Sequence, residues 1–230
     1  MRTIGLIGGM SWESSAVYYD IINKKVKETL GGFSSCKSLM YTVDFAEIEA
    51  LQHRGNWDAL DALMADAASR LYRGGAEIIV LCTNTMHLCS HAIKEAVPIP
   101  FLHIAEATGE AIQSKGLNKV ALLGTRFTME KDFYKSTLFE TYNIETIIPN
   151  DEDRQVVHDI IYGELVLGEI KKASREKFQT IIEGLVNSGA EGIVLGCTEI
   201  PLLISQDDVR VPVFDTTRIH AEKAVKWAVS

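Results

Sequence analysis

The stretch "GAEIIVL" occupies residues 75–81, and "GAEGIVL" occupies residues 189–195; six of the seven positions are identical. Residues 57–73 repeat small and apolar side chains at helical spacing and stop at Gly74-Gly75, and residues 178–188 do the same and stop at Gly189. A helix ended by glycine and followed by a short β-branched apolar run reads as a helix leading into a buried parallel strand. Two further pairings lie outward from this one. Ile4-Gly5-Leu6-Ile7-Gly8 resembles Val120-Ala121-Leu122-Leu123-Gly124, and Ile99-Pro100-Phe101 more weakly resembles Val211-Pro212-Val213. The chain therefore reads as two related α/β halves.

Apolar runs bounded by Gly or Pro predict strands at 3–7, 39–43, 77–81, 101–104, 119–123, 145–148, 192–195 and 211–214. Amphipathic stretches alternate with them. The expected fold is α/β, with mostly parallel sheets covered by helices on both faces. The bulk numbers agree with a soluble globular protein: 230 residues, 47% hydrophobic and 23% charged. A formal net charge of −8 argues against nucleic acid or an anionic membrane surface as the main partner. No window approaches the roughly 18 apolar residues of a membrane span, and the first residues read as a strand rather than a signal peptide. Four cysteines are too few for a disulfide scaffold. A cytoplasmic home with reduced thiols is expected.

Ligands of open α/β sheets bind outside the carboxyl ends of the strands. Past the repeated strands, Cys82 falls opposite Gly196, and Thr83 falls opposite Cys197. Cys82 is then the last strand residue, turned into the core, and Thr83 is the true partner of Cys197. Two halves facing each other would place Thr83 and Cys197 on opposite walls of one cleft between the domains. Asn84, Thr85, Thr198 and Glu199 add polar side chains and backbone N–H groups at helix starts, which suit a carboxylate. A helix start also lowers a thiol pKa, so Cys197 is expected to reach the thiolate. The loops 8–12 and 124–128 end the paired first strands and bring Met10, Ser11 and Thr125 to the same region. A proton acceptor on each face of one carbon, with N–H donors for the developing charge, is what a two-base racemase needs.

"TNTMH" at 83–87, "GCTE" at 196–199 and "GLIGGMSWES" at 5–14 resemble the aspartate/glutamate racemase family over essentially the whole chain, and in particular its L-specific branch. The resemblance implies two opposed bases acting without pyridoxal phosphate, other cofactor or metal. It also implies two pseudo-twofold-related Rossmann-like domains with the active site in the cleft between them, and a homodimer. The last strand and helix would pack back on the first domain, giving domains of 1–104 plus 211–230 and 105–210. The family pattern has a cysteine where Thr83 stands, and a hydroxyl is a far weaker acid than a thiol. The resulting expectation is asymmetric. Cys197 takes the α-proton of L-aspartate or L-glutamate, Thr83 reprotonates the opposite face, and D-enantiomers are poor substrates. The family reads the distal carboxylate with an Arg and a Lys. Here "ALQHRGN" at 50–56 offers Gln52 or Arg54, and "GELVLGE" at 163–169 offers Val166, with Arg126 as a substitute.

Three rivals stand beside this reading. One is acyl transfer by Cys197 with His87 or His220 as base. The others are a racemase or decarboxylase of another small carboxylate, and a non-catalytic amino-acid-binding protein. Cys82, His87, Cys89 and His91 fit no standard zinc spacing. "GLIGG" lacks the dinucleotide fingerprint.

Overall fold

The computed structural model describes all 230 residues, Met1–Ser230. The first sheet-bearing stretch runs β1 (Ile4–Gly8), α1 (Trp12–Leu30), β2 (Ser38–Thr42), α2 (Phe45–His53), α3 (Trp57–Arg73), β3 (Ile78–Leu81), a 3-10 turn at Thr85–Cys89, α4 (Ser90–Ala96) and β4 (Phe101–Leu102). After α5 (Ile104–Gln113) follow β5 (Lys119–Gly124), α6 (Arg126–Glu130), α7 (Asp132–Tyr142), β6 (Glu145–Ile147) and α8 (Asp151–Gly163). The chain then forms α9 (Lys172–Asn187), β7 (Gly192–Gly196), α10 (Ile200–Leu203), β8 (Val213–Asp215) and α11 (Thr216–Val229). All eight expected strands are present.

They form two four-stranded sheets of order β2-β1-β3-β4 and β6-β5-β7-β8, with every pairing parallel. The identical orders are the structural form of the internal repeat. In each sheet the order reverses direction at the first-listed central pair, β1/β3 or β5/β7, which is the switch point where such sheets bind ligands. The central strands β1, β3 and β7 are buried along their whole length, as their unbroken apolar runs require.

The repeated Gly-Ala-Glu has a structural duty in both halves. Glu77 accepts the Thr3 N–H at 2.7 Å, and Glu191 accepts those of Asn118 and Lys119 at 2.8 and 3.1 Å. Each glutamate thus satisfies backbone donors where the first strand of its half begins. Gly9, after β1, has φ of +99°, and a Cβ there would lie 2.2 Å from the Val43 carbonyl oxygen. Only glycine allows the chain to leave β1 this close to the end of β2.

Two compact units result: Met1–Ile104 with His220–Ser230, and Ala105–Ile219. Residues 211–219, expected with the first domain, therefore belong to the second. The reason is the ladder: Ile193, Val194 and Leu195 of β7 pair with Val213, Phe214 and Asp215 of β8. Only the later turns of α11 return to the first unit. There Ala221, Ala224, Val225 and Ala228 pack with Ile4, Leu6, Ile78 and Val80. Within the first unit a second core lies on the opposite face of the sheet, built from Ile7, Ile79 and Leu81 with Leu60, Met64, Ala67 and Leu71 of α3. The second unit packs Leu123, Ile193 and Leu195 against Phe178, Ile181 and Ile182 of α9.

Candidate active site

In the first unit, polar residues gather after β1 and β3, whose ends are locked together by the Cys82 N–H to the Ile7 carbonyl at 2.9 Å. Cys82 itself is fully buried in the core beside Ile4, Leu6 and Val80, and burial pushes its thiol far up. Thr83, one residue on, is half-buried, and its carbonyl accepts from His87 Nδ1 at 2.8 Å. Both follow the end of β3, and their burial differs in the sense that the repeat predicts, Cys82 in the core and Thr83 partly open. Asn84 and Thr85 are buried at the start of the following 3-10 turn. Ser11 caps α1, accepting the Ser14 N–H at 3.3 Å, while its own carbonyl accepts the Ser15 hydroxyl at 3.0 Å. Met10 is buried among Ile7, Ile48 and Met86 in the core cluster.

Gln52, in the last turn of α2, is buried, and its Nε2 donates to Met86 Sδ at 3.1 Å. Arg54 is exposed, with its guanidinium turned back on the Ala50 carbonyl. Of the two candidates from that segment, Gln52 is therefore the one tied to the "TNTMH" motif.

The second unit builds its counterpart after β5 and β7, whose ends are equally close. A Cβ on Gly124 would sit 2.9 Å from the Gly196 carbonyl oxygen. Thr125 caps α6 by accepting the Thr128 N–H at 3.3 Å, repeating the role of Ser11. Cys197 Sγ donates to Glu199 Oε2 at 2.9 Å, and Thr198 Oγ1 donates to the same oxygen at 2.7 Å. Arg126 is engaged by Gln155 Oε1 at 2.6 Å and by Glu130 at 3.5 Å. Val166 is half-buried against the core.

Electrostatics correct one expectation. Burial, and next the Glu199 carboxylate, push the Cys197 thiol well above its ordinary range, outweighing the backbone N–H groups of Thr198 and Glu199. The helix that follows is α10, only four residues long, so its dipole is small. Cys197 therefore rests as a thiol with its proton directed at a carboxylate.

The acyl-transfer rival loses its base. His87 uses Nδ1 on Thr83 and Nε2 on the Ile104 N–H, while His220 uses Nδ1 on Tyr18 and Nε2 on the Leu102 carbonyl. Both rings are fully buried and held below the usual histidine range, chiefly by burial. Sequence reasoning missed Met86 as the partner of Gln52 and His87 as the partner of Thr83. The four-residue spacing of Thr83 and His87 was the available signal for the second.

Comparison with known proteins identifies the family. The Asp/Glu/hydantoin racemase family profile matches residues 7–224. The chain is 23% identical to the broad specificity amino-acid racemase RacX of Bacillus subtilis over 227 residues, covering 96% of each. A Yersinia pestis structure described as a candidate Asp/Glu racemase is 50% identical, with TM-score 0.95 and full coverage of both chains. An aspartate racemase homologue from Pyrococcus horikoshii is 37% identical, with TM-score 0.89, again over both full chains. The chain belongs to the Asp/Glu/hydantoin racemase family and is an amino-acid racemase, an isomerase.

Proposed function

We propose that the chain is a cofactor-independent two-base racemase of L-aspartate and/or L-glutamate, with Cys197 and Thr83 as its bases. The observation that carries the reading is the thiol–carboxylate pair of Cys197 and Glu199 at 2.9 Å, at the strand end equivalent to Thr83. Glu199 accepts the thiol proton, and the resulting thiolate removes the α-proton of the L-enantiomer. Thr198, hydrogen-bonded to the same carboxylate oxygen, holds it in place. Negative charge develops on the substrate carboxylate, and the backbone N–H groups beside Asn84, Thr85, Thr198 and Glu199 are the donors to stabilise it. Thr83 then delivers its hydroxyl proton to the opposite face, and the proton held by Glu199 passes through solvent to the Thr83 oxygen, which resets the site. The reading requires the strand ends of both units to meet on one substrate, and Ser11 and Thr125 fix the loops that flank them. The hydroxyl of Thr83 is a poor base, so kcat from the D-enantiomer is low, and because the two enantiomers are equally stable its KM is low in proportion.

A free thiol needs reducing surroundings, and all four cysteines are unpaired, which suits the cytoplasm. The active form is a homodimer. A second reading, a wider range of amino acids, is favoured by Gln52: the buried side chain tied to the motif is a neutral amide rather than a cation.

Chiral chromatography of reactions with L- and D-aspartate, glutamate, asparagine and glutamine tests both readings. Racemisation of the acids with a lower kcat from the D-side than from the L-side supports the first, and comparable rates with the amides support the second. Thr83→Cys should add D-acid turnover, and no gain would contradict the assignment of asymmetry to Thr83.

A further inference from the structure

We propose that His87 is a positioning residue for Thr83, clamping the carboxyl end of β3 to the segment after β4 through both nitrogens of one neutral imidazole. The inference rests on the reading of Thr83 as a proton donor in racemisation. The β3–β4 ladder is short and ends with Val80 opposite Leu102. Thr83 and Ile104 lie beyond it, where no strand pairing holds the backbone. The His87 ring bridges that gap. The Ile104 N–H reaches Nε2 at 3.1 Å, and Nδ1 lies 2.8 Å from the Thr83 carbonyl oxygen.

The two partners fix the tautomer. A backbone N–H can only donate, so Nε2 must be bare and accept. A carbonyl can only accept, so Nδ1 must carry the proton and donate. A second proton on the ring would break the Ile104 bond. It would also face His103 and His220, whose ring centroids lie 4.8 and 5.7 Å away.

His220 supports the same segment with the opposite tautomer. Its Nε2 donates to the Leu102 carbonyl at 2.9 Å, and its Nδ1 accepts the Tyr18 hydroxyl at 2.8 Å. The β4 end is thus held at Leu102 by one ring and at Ile104 by the other. His87 is fully buried and tied into its own turn by its backbone N–H to the Asn84 carbonyl at 3.1 Å. The clamp therefore has no freedom to swing.

Its place in the repeat sharpens the point. The residue opposite His87 in the second half is Pro201, which has no side-chain hydrogen bond to offer. On the Cys197 side, the reactive atom itself is held by Glu199. On the Thr83 side, the backbone is held and the hydroxyl is left for the substrate. A weak acid that acts only when well aligned is the one that needs its backbone fixed.

Two isosteric variants separate the two bonds. H87N keeps a donor near the Nδ1 position and loses the acceptor for Ile104; H87Q keeps the acceptor and loses the donor to Thr83. The expected result in L-to-D racemisation is a kcat about 30-fold lower for H87Q with KM changed by less than about twofold. H87N should keep about a third or more of kcat. Equal losses in the two variants, a loss carried by KM, or an H87Q enzyme with half its kcat would overturn the proposal. If neither variant folds, ¹⁵N spectra of histidine-labelled unaltered protein decide. One ring locked with Nδ1 protonated and Nε2 bare between about pH 5 and 8 is expected; the other tautomer, or titration near about pH 6.5, overturns it. If the unaltered protein racemises nothing, the parent reading fails, while the spectra still report on the clamp.

Discussion

Acidification should destabilise this protein through its buried histidines. His103 is held at about 4 and His220 at about 3, in both cases chiefly by burial. In the unfolded chain each returns to about 6.5. Below that value the unfolded state binds protons that the native state refuses, so stability falls as pH falls. At pH 5.0 each of the two residues costs about 2 kcal/mol relative to pH 7.5, or about 4 kcal/mol together. His87, also held well below its ordinary value, acts in the same direction. A loss of this size is a large share of the ~5–15 kcal/mol that stabilises a typical domain. The carboxylates of Glu191 and Asp208 are shifted downward by backbone N–H bonds, so their contribution is lost only at more acid pH. Urea unfolding at pH 7.5 and 5.0, with equal m-values, measures the difference directly. Proton uptake on unfolding at pH 5.5 should be about two or more. A stability change below about 1 kcal/mol over this range, or a gain on acidification, would refute the neutral, buried state of the cluster.

Three further outcomes follow from the site. Because the Cys197 thiol is raised well above its ordinary value, its alkylation by iodoacetamide should still be climbing at pH 9, and a plateau below pH 8 would contradict this. Glu199→Gln removes the acceptor of the thiol proton and should lower kcat by about 100-fold with the fold intact, as read by circular dichroism. Cys82→Ala should leave kcat/KM within about twofold and lower Tm by about 3 °C, since it only trims a buried core atom cluster.

The fold was largely legible because buried parallel strands write themselves as unbroken apolar runs, and because the chain writes them twice. The register of Cys82 and Thr83 was legible for the same reason: aligning the repeats assigns each a face. The position of β8 was misjudged although Val211-Pro212-Val213 had already paired with Ile99-Pro100-Phe101. That weak repeat was the correct signal, and the family expectation of a returning last strand displaced it. The protonation of Cys197 was not legible. Its spacing to a helix start suggested a lowered pKa, but the helix has a single turn and the burial and the Glu199 side chain outweigh it. Nor was the partner of His220 legible, because Tyr18 and Leu102 are distant in sequence and only the folded core brings them to one ring. Choosing between Gln52 and Arg54 likewise needed the α2 helix to show which side chain turns inward.

The central claim is that one thiol and one alcohol exchange protons on opposite faces of a single α-carbon. Proton NMR of L-aspartate or L-glutamate incubated with the enzyme in D₂O tests it most directly. The account predicts D-product carrying solvent deuterium at Cα, abolished in Cys197→Ala. Product that retains the original α-proton, or exchange that persists without Cys197, would contradict it.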